Sequence, residues 1–245
     1  MSGSFEGLED AKVWLFPGQI MVSKHLDISE FVEIIIFEYY VLKAQIGMSG
    51  GKHMHYDIVA LPKDQWKGTA IPLTTKSDSY YDFVLSPLNS EGCTVSLVRK
   101  PVEIEIVHTP EEYDYPDSLY QDHWEGAEAY GVVSDSGEML ACIEVCPEEW
   151  SNRLMVTELW VSEVLRGKGI GKRLMDKAKE VAVSQGRRAV ILETQSCNTN
   201  AIGFYLHQGF EMIGFDTCCY TNNDIGRKEV RINLGYFFHR EGRRR

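Results

Sequence analysis

Basic side chains are scarce in this chain, and over one stretch they vanish. Lysine and arginine together number 25 against 36 aspartates and glutamates, a formal net charge of −11. Residues 101–128 hold nine acidic side chains (Glu103, Glu105, Glu111, Glu112, Asp114, Asp117, Asp122, Glu125 and Glu128) and no Lys or Arg. A field of that sign repels a phosphate backbone and attracts cations, so nucleic acid is not an expected partner. Long apolar runs are missing too. The longest, Phe31 to Leu42, carries Glu33 and Glu38 and is too short to span a bilayer, so no membrane partner is expected. No N-terminal stretch combines a basic start, an apolar core and a small-residue cleavage site, which makes the cytoplasm the expected compartment. Six cysteines (93, 142, 146, 197, 218 and 219) contain no Cys-x-x-Cys pair, so neither a zinc knot nor a dithiol redox centre is indicated. Cys142 and Cys146 read as buried apolar side chains on a strand that Pro147 ends. His53 and His55 lack a nearby third ligand, and no metal is expected.

The first hundred residues suggest an accessory α/β segment, residues 1–101. Ile28 to Ala44 has the cap and acidic first turn of a helix. Tyr56 to Leu61 reads as a strand, and Tyr80 to Leu85 with Cys93 to Val98 as a hairpin. From Val102 to Phe238 the pattern predicts a second unit. It begins with a strand over Val102–Val107 and short helices within Glu111–Trp124. A hairpin follows over 128–133 and 139–145, then a strand over Leu154–Val161. An amphipathic helix over Lys172–Ser184 presents Leu174, Met175, Ala178, Val181 and Ala182 on one face. A strand at Ala189–Glu193, a helix at Asn198–His207, and strands at 212–220 and 230–238 complete it. Residues 239–245 form a basic tail. Hairpins followed by strand–helix–strand–helix–strand–strand imply an α+β fold with a mixed, mostly antiparallel twisted sheet flanked by helices.

Between the strand at 154–161 and the helix at 172–184 stands Arg166-Gly167-Lys168-Gly169-Ile170-Gly171. Three glycines in five residues let the backbone approach a ligand closely. The following helix adds free N–H groups and the positive end of its dipole, a seat for phosphate or pyrophosphate. Two common phosphate motifs fail on spacing. A nucleotide-hydrolase loop needs Ser or Thr after Gly171-Lys172, where Arg173 stands; a dinucleotide fingerprint needs glycine at 172, where Lys172 stands. What is left is Arg-x-x-Gly-x-Gly.

This motif resembles the acyl-CoA loop of the GNAT superfamily of N-acetyltransferases. Downstream, Asn198-x-x-Ala201-x-x-Phe204-Tyr205-x-x-x-Gly209-Phe210 matches the second half of that family's pattern. Leu192-Glu193-Thr194-Gln195, the Asp216…Tyr220-x-Asn222 segment and Glu229-Val230-Arg231-Ile232 further resemble the streptothricin (nourseothricin) acetyltransferase branch. The resemblance covers roughly residues 102–238.

The resemblance implies acetyl-CoA as cosubstrate. Arg166, Gly167, Lys168, Gly169, Ile170, Gly171 and Lys172 would cradle its pyrophosphate, Leu159, Trp160 and Val161 would line its pantetheine arm, and Asn198 would contact that arm. It also implies Glu158 as general base and Tyr205 as the acid that protonates the leaving thiolate. Buried packing is the competing reading for Tyr205, and a salt-bridged strand residue for Glu158. Glu193 and Asp216, where the branch also carries acids, and Glu125, on charge grounds, are candidates for binding a cationic acceptor. The expected activity is direct acetyl transfer to a primary amine of a small polycationic acceptor. The expected partner is that small-molecule amine, with a homodimer as a further possibility. A CoA-binding regulatory or interaction module without turnover, and a protein or peptide N-acetyltransferase, are the competing readings.

Overall fold

A computed structural model describes residues 13–16, 19–22, 56–112 and 116–238. The chain divides into two compact units, residues 1–55 and 56–245. In the first, β1 (Val13–Phe16) and β2 (Gln19–Val22) pair antiparallel, from Val13 opposite Val22 to Phe16 opposite Gln19. The helix expected at 28–44, the His53/His55 pair and the basic tail at 239–245 lie outside the described residues.

The second unit is built on a seven-stranded sheet in the order β10-β11-β9-β8-β7-β6-β3. Its strands are β3 (Val59–Ala60), β6 (Glu128–Val133), β7 (Met139–Glu148), β8 (Arg153–Val161), β9 (Ala189–Gln195), β10 (Glu211–Asp216) and β11 (Arg231–Phe237). Every pairing is antiparallel except β8 with β9, which is the mixed, mostly antiparallel α+β sheet that the sequence predicts. The parallel pair needs a crossover. Helix α2 (Ile170–Ser184) supplies it, after a short α1 (Lys63–Trp66) earlier in the chain. Helix α3 (Thr199–His207) links β9 to β10, and α4 (Asp224–Arg227) precedes β11.

The apolar stripe of α2 does what its spacing requires. Leu174, Met175, Ala178, Val181 and Ala182 are all buried, and they share a core with Ala141, Ile143 and Val145 of β7, Leu154 and Val156 of β8, and Val190 and Leu192 of β9. Burial of a leucine such as Leu174 stabilises the fold by about 1.5–3 kcal/mol. A second, smaller core on the opposite sheet face gathers Leu61, Ile71, Leu119, Tyr120, Ala129, Met139 and Cys142.

Four local expectations are corrected. β4 (Thr75–Leu85) and β5 (Val95–His108) form one long hairpin, so the strands expected at 93–98 and 102–107 are a single strand. The register jumps from Ser77↔Ile106 to Ser79↔Pro101, leaving residues 102–105 as a bulge opposite Asp78. Pro101, which has no N–H to donate, stands at the edge of that bulge, where a lost ladder bond is tolerated. Residues 101 and 102 therefore lie within one strand. The helices expected within 111–124 reduce to a single 3₁₀ turn, Pro110–Glu112, among the described residues. The next segment is held extended by backbone bonds from Ile71 N–H to Asp117 O and from Leu119 N–H to Thr69 O. β7 runs through Pro147, which pairs with Leu154, rather than ending there. β10 stops at Asp216 instead of Tyr220, because Asp216 turns back to accept a bond from the Cys218 N–H.

Candidate active site

The Gly-rich loop sits where β8 hands over to α2. Gly167 and Gly169 have φ of +74° and +78°, the left-handed region that a β-carbon disfavours. Gly169 is the N-cap of α2, with no side chain closing the helix end. A β-carbon at either glycine would meet nothing within 4 Å, so the space in front of the loop is open. The N–H groups of Gly167, Gly169, Ile170, Gly171 and Lys172 have no hydrogen-bond partner among the described residues, while Arg173 N–H already bonds to Gly169 O. Open space faced by unpaired donors at the start of a fifteen-residue helix fits a pyrophosphate. Of the cationic side chains, Arg166 folds back, its Nε 3.3 Å from Val161 O. Lys172 pairs with Asp176 at 2.6 Å, and Lys168 lies over the Tyr56 ring.

Upstream of the loop, β8 and β9 part company. Their parallel pairing extends only from Arg153↔Ala189 to Val156↔Leu192, although β8 continues to Val161. Ser162 N–H bonds to Leu140 O of the neighbouring β7. By strand alternation the backbone groups of Trp160 also face β7, and those of Leu159 and Val161 face the gap left by β9. An exposed ladder edge is thus held beside the anion seat.

The divergence has a local origin. Pairing between β7 and β8 steps from Glu144↔Glu158 to Val145↔Val156, so Thr157 is an extra residue. Such a bulge shifts the alternation by one residue. Leu154 and Val156 face α2, and after the bulge so do Leu159 and Val161. Thr157, Glu158 and Trp160 face the other way, Trp160 packing on the smaller core.

There Glu158 faces one carboxylate, Glu144, and lies in the field of another, Asp117, neither of which sequence reasoning singled out for the site. Glu144, directly opposite on β7, is fully buried. Its two oxygens accept separate bonds, from Tyr120 N–H at 2.5 Å and from the Thr157 hydroxyl at 2.9 Å. Tyr120 presents that N–H from a left-handed conformation, φ +59°. Such backbone costs on the order of 1–3 kcal/mol and is held by the phenol, which donates to Leu61 O and accepts from Ala129 N–H. Burial alone raises the Asp117 carboxyl. Burial, then the charge of Asp117, then that of Glu144 push the Glu158 carboxyl up to about 9. Burial also raises Glu144, opposed by its two hydrogen bonds and by Lys63 and His123. Glu158 has no hydrogen-bond or ion-pair partner among the described residues.

Tyr205 lies in the main core at 9% exposure, on α3. Burial and the negative charge of Glu158 raise its phenol to about 12, and its hydroxyl has no hydrogen-bond partner among the described residues. Asn198 caps α3, its side-chain oxygen accepting from Ala201 N–H at 3.3 Å. The three residues proposed for the acceptor are held in three different ways. Glu193 is ion-paired with Arg231, Asp216 is spent on its own turn, and Glu125 is exposed in the turn before β6. Paired charges at 144 and 158 were legible as a register, had the bulge been known; Asp117 carried no signal beyond its place in the acidic block.

A strand edge left unpaired beside a helix-capping glycine loop suits a ligand with an extended arm and an anionic end, and comparison with known proteins identifies the family. Residues 99–210 match the model of the acetyltransferase (GNAT) family. An N-acetyltransferase of Escherichia coli K12, YjgM, itself uncharacterised, is 32% identical over 118 residues, spanning 47% of this chain and 69% of that protein. The chain belongs to the GNAT acetyltransferase family. It is also 31% identical over 113 residues to the streptothricin acetyltransferase of Streptomyces lavendulae, covering 43% of this chain and 60% of that enzyme's length. The crystal structure of nourseothricin acetyltransferase superposes with a TM-score of 0.56 at 23% identity, over 74% of this chain and 98% of that one. An acetyl coenzyme A complex of a Bacillus anthracis protein assigned as a streptothricin acetyltransferase gives 0.57 at 22%, over 77% and 100%. These two show the shared fold.

Proposed function

We propose that this chain transfers an acetyl group from acetyl-CoA directly to a primary amine of a small polycationic acceptor. The observation that carries this is the bare edge of β8 running into five unpaired N–H groups at Gly167–Lys172. One end suits a thioester arm and the other a pyrophosphate. Bound acetyl-CoA would supply the activated acyl group. Arg166, Gly167, Lys168, Gly169, Ile170, Gly171 and Lys172 hold its pyrophosphate. Leu159, Trp160 and Val161 lie along its arm, with the Leu159 backbone and the Val161 N–H offering the bonds, and Asn198 contacts the arm from the start of α3. Fixing amine and thioester in attack geometry contributes the entropic part of the rate.

Glu158 removes the proton. An acceptor arrives as R–NH3+; the carboxylate takes one proton, leaving R–NH2 with a free lone pair. That amine forms the N–C bond as the C–S bond breaks, and the sulfur leaves with the bonding pair. Tyr205 hands its phenolic proton to the departing sulfur; the acylated nitrogen sheds its second proton, which replaces the one Tyr205 gave, and Glu158 returns its own to solvent. The balance is R–NH3+ plus acetyl-CoA giving the N-acetyl amine, CoA thiol and one proton. A carboxyl raised to about 9 accepts an ammonium proton through its ionised fraction, so turnover should climb as pH rises towards 9. Cys197, beside Asn198, does not compete for the acyl group, since burial and the charge of Glu229 push its thiol up to about 11. The net charge of −11 and the acidic block at 101–128 favour a cationic acceptor.

The test is calorimetric titration with acetyl-CoA, then thiol release with polyamines, aminoglycosides, streptothricin and peptides. Micromolar binding with acceptor-dependent release is the expected result. Binding without release would leave a CoA-binding module, and absence of binding would overturn the assignment of the loop.

A further inference from the structure

We propose that Thr199 is a positioning residue for the acyl carrier: hydrogen-bonded into the β4–β5 hairpin through Ser77 and Ser79, it sets the place of the neighbouring Asn198 and so the grip of that residue on the pantetheine arm. This rests on the acetyl-transfer reading above. It gives the hairpin a part in the site, although strand β4 precedes the residues that match the family model.

The hairpin bonds to the turn between β9 and α3 at all but one of residues 196–200. Tyr81 N–H donates to Ser196 O at 2.9 Å, and Cys197 Sγ lies 3.7 Å from His108 Nε2. The Thr199 hydroxyl contacts Ser77 Oγ at 2.8 Å and Ser79 Oγ at 3.1 Å. Asn200 Nδ2 donates to Lys76 O at 3.1 Å. Asn198 is the exception among these described residues. Its side-chain oxygen accepts from Ala201 N–H, which leaves Nδ2 as the group for the arm. The helix that follows has only nine residues, and helices shorter than about 12–15 residues are marginal on their own. Tertiary contacts therefore place its start, and Asn198 goes where Thr199 is held.

The hydroxyl protons in this contact have fixed directions. Ser77 and Ser79 stand two apart on β4, so their side chains share a face, and both are buried, as is Thr199. The single Ser77 proton goes to Ser79 O at 2.7 Å, so Thr199 is the donor to Ser77 Oγ. Ser79 Oγ accepts from Arg99, from Nε at 3.0 Å and Nη2 at 2.8 Å. Its own proton has Asp78 Oδ1 at 2.8 Å and Thr199 Oγ1 at 3.1 Å as acceptors. A buried network in which every proton has an acceptor holds one geometry, where apolar contacts alone tolerate sliding. Valine would fill the space of Thr199, but it leaves Ser77 without its donor. The effect on acetyl-CoA passes through the Asn198 amide, because Glu158 and the loop at 166–172 belong to other elements.

The experiment is calorimetric titration of the full chain with acetyl-CoA. It compares the wild type, Thr199→Val, Thr199→Ser, Ser77→Ala, Asn198→Asp, and Thr199→Val combined with Asn198→Asp. Thermal unfolding checks the fold of each, and Ser77→Ala breaks the same bond from the hairpin side should Thr199→Val fail to fold. Asn198→Asp keeps the cap oxygen and removes the amide donor. Acetyl-CoA should bind about fivefold more weakly to Thr199→Val and to Ser77→Ala, the usual effect of one lost hydrogen bond. Thr199→Ser should stay within about twofold of the wild type. Adding Thr199→Val to Asn198→Asp should change affinity by less than about twofold, because the group that Thr199 positions is already gone. Wild-type affinity in Thr199→Val and Ser77→Ala, or in Asn198→Asp, overturns the positioning role. So does an equal loss with and without Asn198→Asp, which is what a merely structural role gives. A wild type that does not bind acetyl-CoA would instead overturn the acetyl-transfer reading.

Discussion

Removing the ionisable proton from Glu158 should make the protein more stable in alkali while it destroys turnover. In the folded chain the Glu158 carboxyl is raised from an ordinary value of 4.5 to about 9. Folding therefore favours the protonated form. Its full contribution is present below pH 4.5, and it is lost as pH rises towards 9, because the unfolded chain releases the proton first. Each pKa unit corresponds to about 1.4 kcal/mol, so the whole shift has a ceiling of ~6 kcal/mol. Three carboxylates share the field and Lys63 acts on one of them, so ~2–4 kcal/mol by pH 8 is the working figure. Glu158→Gln keeps the shape and removes the linkage. At about 2–4 °C per kcal/mol for a domain of this size, its melting temperature should gain on the wild type by roughly 5–10 °C between pH 5 and pH 8. Thermal unfolding across that range, followed by circular dichroism, measures it. Turnover should fall by about 10²–10⁴, the usual worth of a general base. Melting curves that run parallel with pH in the two proteins would refute the reasoning, since they would mean that Glu158 is ionised and solvated.

Tyr205→Phe should lower kcat by at least tenfold and leave acetyl-CoA affinity within about twofold, because the ring still packs in the core and only the proton donor is lost; wild-type turnover would remove its role. Gly169→Val should weaken acetyl-CoA binding, measured by calorimetry. It places a β-branched side chain at φ +78°, a left-handed backbone costing about 1–2 kcal/mol, and fills the open space before the N–H groups. Unchanged affinity would count against the loop. Thr157→Val leaves one oxygen of buried Glu144 without its donor, which should cost about 1–3 kcal/mol in urea unfolding.

Much of the frame was legible in the chain itself. The 3.6-residue stripe of Leu174, Met175, Ala178, Val181 and Ala182 named the buried face of α2 correctly, because that periodicity is a local property of the helix. The glycines of the anion seat were equally plain, since positive φ is written in the residue type. Carboxylates were harder. Glu193 was nominated on its strand position, and the structure pairs it with Arg231; Glu144, fully buried opposite Glu158, was not singled out. A list of charges carries no distances, and partnership across strands decides which of them are free.

The sequence alone determined the order of the main strands and helices from Glu128 onward, the mixed sheet and the loop, because each rests on short-range periodicity and backbone preference. Only the tertiary structure decided which face Glu158 takes. Strict alternation from Leu154 and Val156 would send it into the core beneath α2, and the extra residue at Thr157 turns it to the opposite face. That bulge exists because two strands of unequal count must share one ladder, and the parting of β8 from β9 and the fixed charge of Glu144 opposite Glu158 are likewise products of long-range pairing. They depend on residues far apart in the chain meeting in space, which no local reading of the residues contains.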